Sequence, residues 1–189
     1  MPKVRCGATQ IAPENVYCSV DTALFHSMLE TPVGAIQLSV NDEGALVEIL
    51  LPNRKPAASW PKPLSTSAER GMLAVKQQLS EYFLRKRRVF DLPLLPEGSP
   101  FERQVWTTLL AIPYGKTTSY GAIAAELGLT NGARAVGRAN GANPIPIVIP
   151  CHRVIGSGGQ LTGYGGGLPL KHALLELEGA VPPPEPRLL

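Results

Sequence analysis

The hexapeptide Ile149-Pro150-Cys151-His152-Arg153-Val154 sets a thiol beside an imidazole and a guanidinium. Thiolate is the reactive form of cysteine, and neighbouring histidine or cationic groups raise its population at neutral pH. The block follows the apolar stretch Pro144 to Ile149 and precedes a glycine-dense loop, so the thiol lies at the rim of a packed segment. Taken alone, a cysteine of this kind is more often buried, inert packing. A second feature is Glu178, in the final turn of a C-terminal helix, where the dipole disfavours an anion. An acid at that place calls for a partner.

The elements that must position these groups follow from hydrophobic period and turn chemistry. Between Leu24 and Leu51 short apolar runs are separated by Thr31-Pro32-Val33-Gly34 and Asn41-Asp42-Glu43-Gly44, which predicts an antiparallel meander of two or three strands. Residues 1–22 show no period, and the proline-rich residues 52–64 form a loop. Thr66-Ser67-Ala68-Glu69 has the form of a capping box, and Met72, Val75, Leu79 and Phe83 then recur at helical spacing. This helix ends in Arg85-Lys86-Arg87-Arg88, which is either a solvated helix end or a nucleic-acid patch. The first unit, residues 1–92, is small and α/β, with no evident chemistry in its sequence.

The second unit, residues 93–180, opens on Ser99-Pro100-Phe101-Glu102, an N-cap serine with proline at N1 and glutamate at N3. Its first helix stops at Pro113-Tyr114-Gly115. A short helix with Ile123, Ala124 and Leu127 follows Thr118-Ser119-Tyr120, and a further short segment runs from Gly132 to Gly141. Helix, tight turn, helix is the outline of a helix-turn-helix. Ala133, Ala135, Gly137, Ala139 and Gly141 leave the last segment nearly bare, with Arg134 and Arg138 projecting. Such a surface suits close approach to another backbone, whether protein or nucleic acid, and Arg134 also reads as a solvated arginine. Leu161 to Gly167 is a loop with Tyr164 as its large anchor. Pro169 starts the last helix and Gly179 ends it, while the proline-rich residues 181–189 read as a disordered tail.

Composition narrows the class. A chain of 189 residues at net charge +3 has room for one substantial core or two small ones, and no basic tail announces nucleic acid. No run of about 18 apolar residues marks a membrane span. Met1-Pro2-Lys3-Val4-Arg5-Cys6 lacks a secretory apolar region, and three irregularly spaced cysteines argue against a disulfide framework, so a cytoplasmic setting is expected. Cys6, Cys18 and His26 fall short of the four ligands that tetrahedral zinc wants, so no metal is expected.

Residues 99–179 resemble the catalytic domain of the O6-alkylguanine-DNA alkyltransferases, also called methylated-DNA–protein-cysteine methyltransferases. The resemblance runs through Arg103-Gln104-Val105-Trp106, Ile112 to Tyr120, Ala133-Arg134-Ala135-Val136-Gly137, Asn140 to Pro144, the Cys151 hexapeptide and Gly163 to Gly167. The meander and helix before it fit the small ribonuclease-H-like domain of that family. The fold implied is α/β (α+β): that small domain, then a mainly helical domain with a helix-turn-helix and an active-site cysteine loop.

The resemblance implies DNA repair by direct reversal, with Cys151 taking the alkyl group from guanine O6, and less well from thymine O4, as a thioether. That bond has no easy hydrolytic exit, so each molecule turns over once. His152 would act through a water, with Glu178 orienting its ring. Asn143 would be the hinge before the active-site strand, or a simple turn residue before Pro144. Arg134 would enter the stack in place of the flipped nucleotide, and Tyr120 would turn the phosphate and donate a proton to the departing base. Val154, Tyr164, Gly165 and Gly166 would form the substrate pocket, and Ser157 would join Arg134 and Tyr120 on the DNA.

The family lays its bare helix in the minor groove. A monomer, free of metal and organic cofactor, is the expected form. Gly165 stands where some relatives have serine, and the run of glycines predicts room for groups as large as benzyl. Three rivals are weighed against this. An alkyltransferase-like lesion binder lacks the acceptor cysteine, a helix-turn-helix regulator needs long polar side chains for the major groove, and a cysteine hydrolase turns over repeatedly.

Overall fold

In the computed structural model, residues 24–55 and 65–182 are described. Cys6, Cys18, the irregular start, most of the proline-rich loop and nearly all of the tail lie outside the described residues. Strands β1 (Phe25–Leu29), β2 (Ile36–Val40) and β3 (Leu46–Leu50) form one antiparallel sheet in the order β1-β2-β3. Both predicted separators are the turns that join them. Ile36, Leu38 and Val40 share one face of β2 and are fully buried. Helix α1 (Thr66–Phe83) covers the sheet with Ala68, Met72, Val75, Leu79, Tyr82 and Phe83, a stripe at helical spacing. A fully buried side chain such as Leu79 contributes about 2 kcal/mol. Gly71 lets α1 sit directly on the β2–β3 turn, since a Cβ there would run into the carbonyl of Gly44.

Two features of α1 differ from the sequence reading. Its N-cap is Ser65, not Thr66: Ser65 Oγ accepts from Ala68 N at 3.0 Å and donates to the Asp42 carbonyl at 2.7 Å. The contact to Asp42 orients Ser65 as the cap. The helix also stops before the basic run, with Leu84 as C-cap and Arg85 at a φ of 58°. Arg87 then pairs with Glu81 at 2.7 Å, and Arg88 lies over the Tyr114 ring.

The segment from Pro93 to Leu95 runs along β3, with Leu46 N donating to the Pro93 carbonyl at 2.8 Å and Leu95 N to the Leu46 carbonyl at 2.9 Å. Helix α2 (Pro100–Leu110) opens with the full capping box of Ser99 and Glu102. Trp106 on α2 is buried, and its indole N–H donates to the Ala139 carbonyl at 2.8 Å. Strand β4 (Thr118–Ser119) leads into α3 (Tyr120–Glu126), capped by Ser119, and α4 (Ala133–Gly141) packs on both α2 and α3. A 3-10 turn (Cys151–Arg153), strand β5 (Val154–Ile155) and α5 (Leu168–Leu177) complete the order. β5 pairs in parallel with β4, a two-residue ladder.

One hydrophobic core runs from the sheet through α1 to α2, α4 and α5. The fold is the expected α+β arrangement. Among the described residues no helix is long and apolar enough to cross a membrane.

Candidate active site

Residues 144–150 enter the site as a buried turn rather than a strand. Pro144, Pro146 and Pro150 lack the N–H groups of a ladder. The turn closes through Ile149 N and the Ile145 carbonyl at 2.9 Å, and Ile147 holds a φ of 76°, rare for a β-branched residue. Asn143 ties it together, its Oδ1 accepting from Ile145 N at 3.0 Å and its amide donating to the Ile149 carbonyl at 2.9 Å. The same side chain draws the Cys151 thiol downward, against burial. The expected hinge and the nucleophile thus line the same cleft.

Cys151 opens the 3-10 turn and lies at the floor of a cleft of about 650 Å³. Burial pushes its thiol up to about 11, against the opposing pull of Asn143 and Lys171. A thiol so held needs a proton acceptor before it can attack. His152 is fully buried, and its Nε2 meets Glu178 Oε1 at 3.0 Å while Nδ1 has no partner among the described residues. An ionised carboxylate only accepts, so Nε2 carries the proton and Nδ1 the lone pair. Burial holds the imidazole below its ordinary value; the Glu178 bond and charge pull it up, and Arg153 and Lys171 add to the downward push.

Glu178 caps the end of α5 with several partners of its own. Oε1 accepts from Tyr82 OH at 2.8 Å and Arg153 Nη2 at 2.9 Å, and Oε2 from Arg153 Nε at 2.8 Å and Gly115 N at 3.1 Å. Burial raises this carboxyl, but the hydrogen bonds and charges of His152 and Arg153 together hold it well below the usual carboxylate range. The unfavourable helix-end position is thus offset by a guanidinium. Gly115, at a φ of 72°, lets the turn after α2 reach this helix end, where a Cβ would meet the Glu178 carbonyl at 2.8 Å.

Of the remaining predicted residues, Tyr120, Tyr164 and Gly165 line the cleft with Cys151. Val154 and Gly166 lie behind the lining: Val154 is fully buried, and its carbonyl accepts from Lys171 Nζ at 2.6 Å. Thr162 Oγ1 donates to Tyr120 OH at 3.4 Å. Tyr164 OH is buried without a partner among the described residues, and burial together with the Cys151 charge pushes its phenol well up. Arg134 on α4 and Ser157 in the turn after β5 are exposed and stand apart from the thiol.

Four residues escaped the sequence reading. Arg153 was seen only as an extra charge, yet it grips Glu178. Lys171 is fully buried, donates to the Val154 and Thr162 carbonyls, and burial lowers its ammonium to about 8. Its position one turn before Leu174 and Leu175 on an apolar face was the available signal. The first unit, read as free of chemistry, sends Tyr82 to Glu178 and Asn53 Nδ2 to the Gly165 carbonyl at 3.0 Å. Neither contact has a local sequence signal. His26 bonds Ser39 Oγ at 2.8 Å within the sheet, and no cluster able to hold a metal is found among the described residues.

Residues 24–96 match the family model for the ribonuclease-like domain of 6-O-methylguanine DNA methyltransferase, and residues 100–180 match that for its DNA binding domain. The chain is 41% identical over 160 residues to a methylated-DNA–protein-cysteine methyltransferase of Methanosarcina acetivorans, covering 83% of this chain and 99% of the relative. It is 39% identical over 158 residues to the constitutive one of Bacillus subtilis, covering 82% and 94%. The crystal structure of Mycobacterium tuberculosis OGT in complex with DNA superposes with a TM-score of 0.73 at 40% identity, over 82% of this chain and 93% of that one. With both domain matches in order and near-complete relatives on either side of the prokaryotic divide, the chain belongs to the methylated-DNA–protein-cysteine methyltransferase family.

Proposed function

We propose that the protein repairs alkylated duplex DNA by direct reversal, moving the alkyl group from guanine O6, and less well from thymine O4, irreversibly to Cys151. The observation that carries this reading is the placement of Cys151 in the cleft, with Asn143 in the same lining and the buried His152–Glu178 pair adjoining. The thiol proton passes through a water to His152 Nδ1. Sulfur then attacks the alkyl carbon, the carbon–sulfur bond forms as the carbon–O6 bond breaks, and the electron pair leaves on the base. Tyr120 protonates that leaving base, lowering the barrier where negative charge develops.

The substrate is a flipped nucleotide, since the thiol cannot reach a stacked base. In this reading α4 lies in the minor groove, where its small residues permit close approach, Arg134 fills the gap in the stack, and Ser157 and Tyr120 contact the backbone. Tyr164 and Gly165 wall the base, with Val154 and Gly166 behind them. Residues 93–180 carry the chemistry, residues 1–92 support it, and 181–189 form a tail. The protein works as a cytoplasmic monomer, and no step calls on a cofactor.

The test is intact-mass spectrometry after mixing with excess O6-methylguanine duplex, with Cys151→Ser alongside. One added methyl on the wild type, mapped to Cys151 and absent from the variant, is expected. Lesion-selective binding with no mass change would instead mark a damage-recognition protein and end the transfer reading.

A further inference from the structure

Tyr82 belongs to α1, in the half of the chain without the nucleophile, yet its hydroxyl ends on the carboxylate that holds the base. The residue is fully buried, its ring packed at centroid distances of 5.4 Å from Phe83, 5.4 Å from Phe90 and 6.1 Å from Tyr114. A phenol so enclosed must give its proton to a protein acceptor. It gives it to Glu178 Oε1, the same oxygen that accepts from His152 Nε2 and Arg153 Nη2.

We propose that Tyr82 is a positioning residue for the transfer reaction: by sharing Glu178 Oε1 with His152, it keeps the imidazole neutral, Nε2-protonated and with Nδ1 free for the thiol proton. This rests on the transfer reading above. A carboxylate offers about four lone-pair sites, and here five hydrogen bonds, one each from Tyr82, His152 and Gly115 and two from Arg153, crowd them, three on Oε1. A carboxylate so satisfied is a weak base. It orients the ring without removing the Nε2 proton, and it gives limited support to an imidazolium. Loss of the phenol donor would throw more of the Oε1 charge onto His152 and favour the imidazolium, which cannot take a proton from Cys151.

The other groups facing the pair are Cys151 and Arg153 from its own turn, Lys171 from α5 and Tyr114 from the turn after α2. Arg153 and Lys171 already oppose a positive imidazole. Tyr82 acts in the same direction by drawing on the anion rather than by adding a cation.

The experiment is the single-turnover rate of methyl transfer to Cys151 from an O6-methylguanine duplex as a function of pH, using full-length wild type, Tyr82→Phe and protein carrying 3-fluorotyrosine at position 82. The phenylalanine variant should move the acid limb upward by about one pH unit and lower the rate severalfold on that limb, with the DNA concentration for half-maximal rate unchanged. Fluorotyrosine, a stronger donor in the same ring, should move the limb downward, and it carries the test where Tyr82→Phe does not fold. Acid limbs that coincide with wild type, whatever happens to stability, would make Tyr82 a packing residue and overturn the proposal. Absence of methyl on Cys151 in the wild type would overturn the transfer reading beneath it.

Discussion

The guanidinium of Arg153 meets the carboxylate of Glu178 edge to edge, Nε on Oε2 at 2.8 Å and Nη2 on Oε1 at 2.9 Å, with both side chains buried. Its remaining arm, Nη1, donates to the Ile112 carbonyl at 2.6 Å. The acid behind His152 is therefore one half of a neutral pair. Removing one partner of such a pair leaves an uncompensated buried charge, so Arg153→Met should cost about 3–5 kcal/mol of stability. Arg153→Lys should restore little of it, because an ammonium cannot span both oxygens. Urea unfolding of the two variants checks this.

The thiol and its base can be separated by a small alkylating agent. Burial, against the pull of Asn143 and Lys171, places the Cys151 thiol at about 11, so capping by iodoacetamide should need strong base unless His152 takes the proton. In wild type the capping profile at Cys151, read by peptide mass, should have a midpoint below that value. In His152→Gln the midpoint should rise towards it, by about one unit or more.

Acid should weaken the fold in two stages. His152 is held below its ordinary value, so the unfolded chain takes up a proton first as pH falls through about 6.5. Glu178 is held below the usual carboxylate range, so its contribution is present above about pH 4.3 and is lost below it. Both groups make the unfolded state bind more protons, and stability rises with pH through each. Thermal unfolding across this range should show both declines in wild type and lose the upper one in His152→Gln.

Adjacent glycines of the pocket loop should respond oppositely to substitution. A Cβ on Gly165 would meet only Arg54 Nη2, at 3.8 Å, whereas one on Gly166 would crowd Leu170, Leu51 Cδ1 at 2.9 Å and Tyr164 Cε1 at 3.2 Å. Gly165→Ser should stay within about 0.5 kcal/mol of wild type, and Gly166→Val should lose about 1–3 kcal/mol. Inactivation by O6-benzylguanine should survive the first change and fail in the second, since only the second displaces the Tyr164 wall.

What the sequence made legible was local. The three strands follow from alternation and turn residues, the α2 capping box from Ser99 and Glu102, and the importance of Glu178 from an anion set against a helix dipole. The parallel pair β4–β5 is two residues long on each side, too short for any period to register. Ser65 and Thr66 both offer a hydroxyl at the start of α1, and the Asp42 carbonyl, from a distant turn, holds Ser65 as the cap. Tyr82 reads as one more apolar position of a core stripe, because the acceptor of its proton is 96 residues further along the chain. The cysteine block was readable because its residues are contiguous; the shell that sets its protonation comes from α1, α5 and the turn after α2.

The indole of Trp106, bonded to the Ala139 carbonyl of α4, supplies an optical reporter within the molecule. It is a fluorophore shielded from water and fastened to the helix that would carry DNA. Any strain transmitted through that carbonyl alters the ring's surroundings, and so its emission. Docking and release could thus be timed by stopped-flow fluorescence on unlabelled protein.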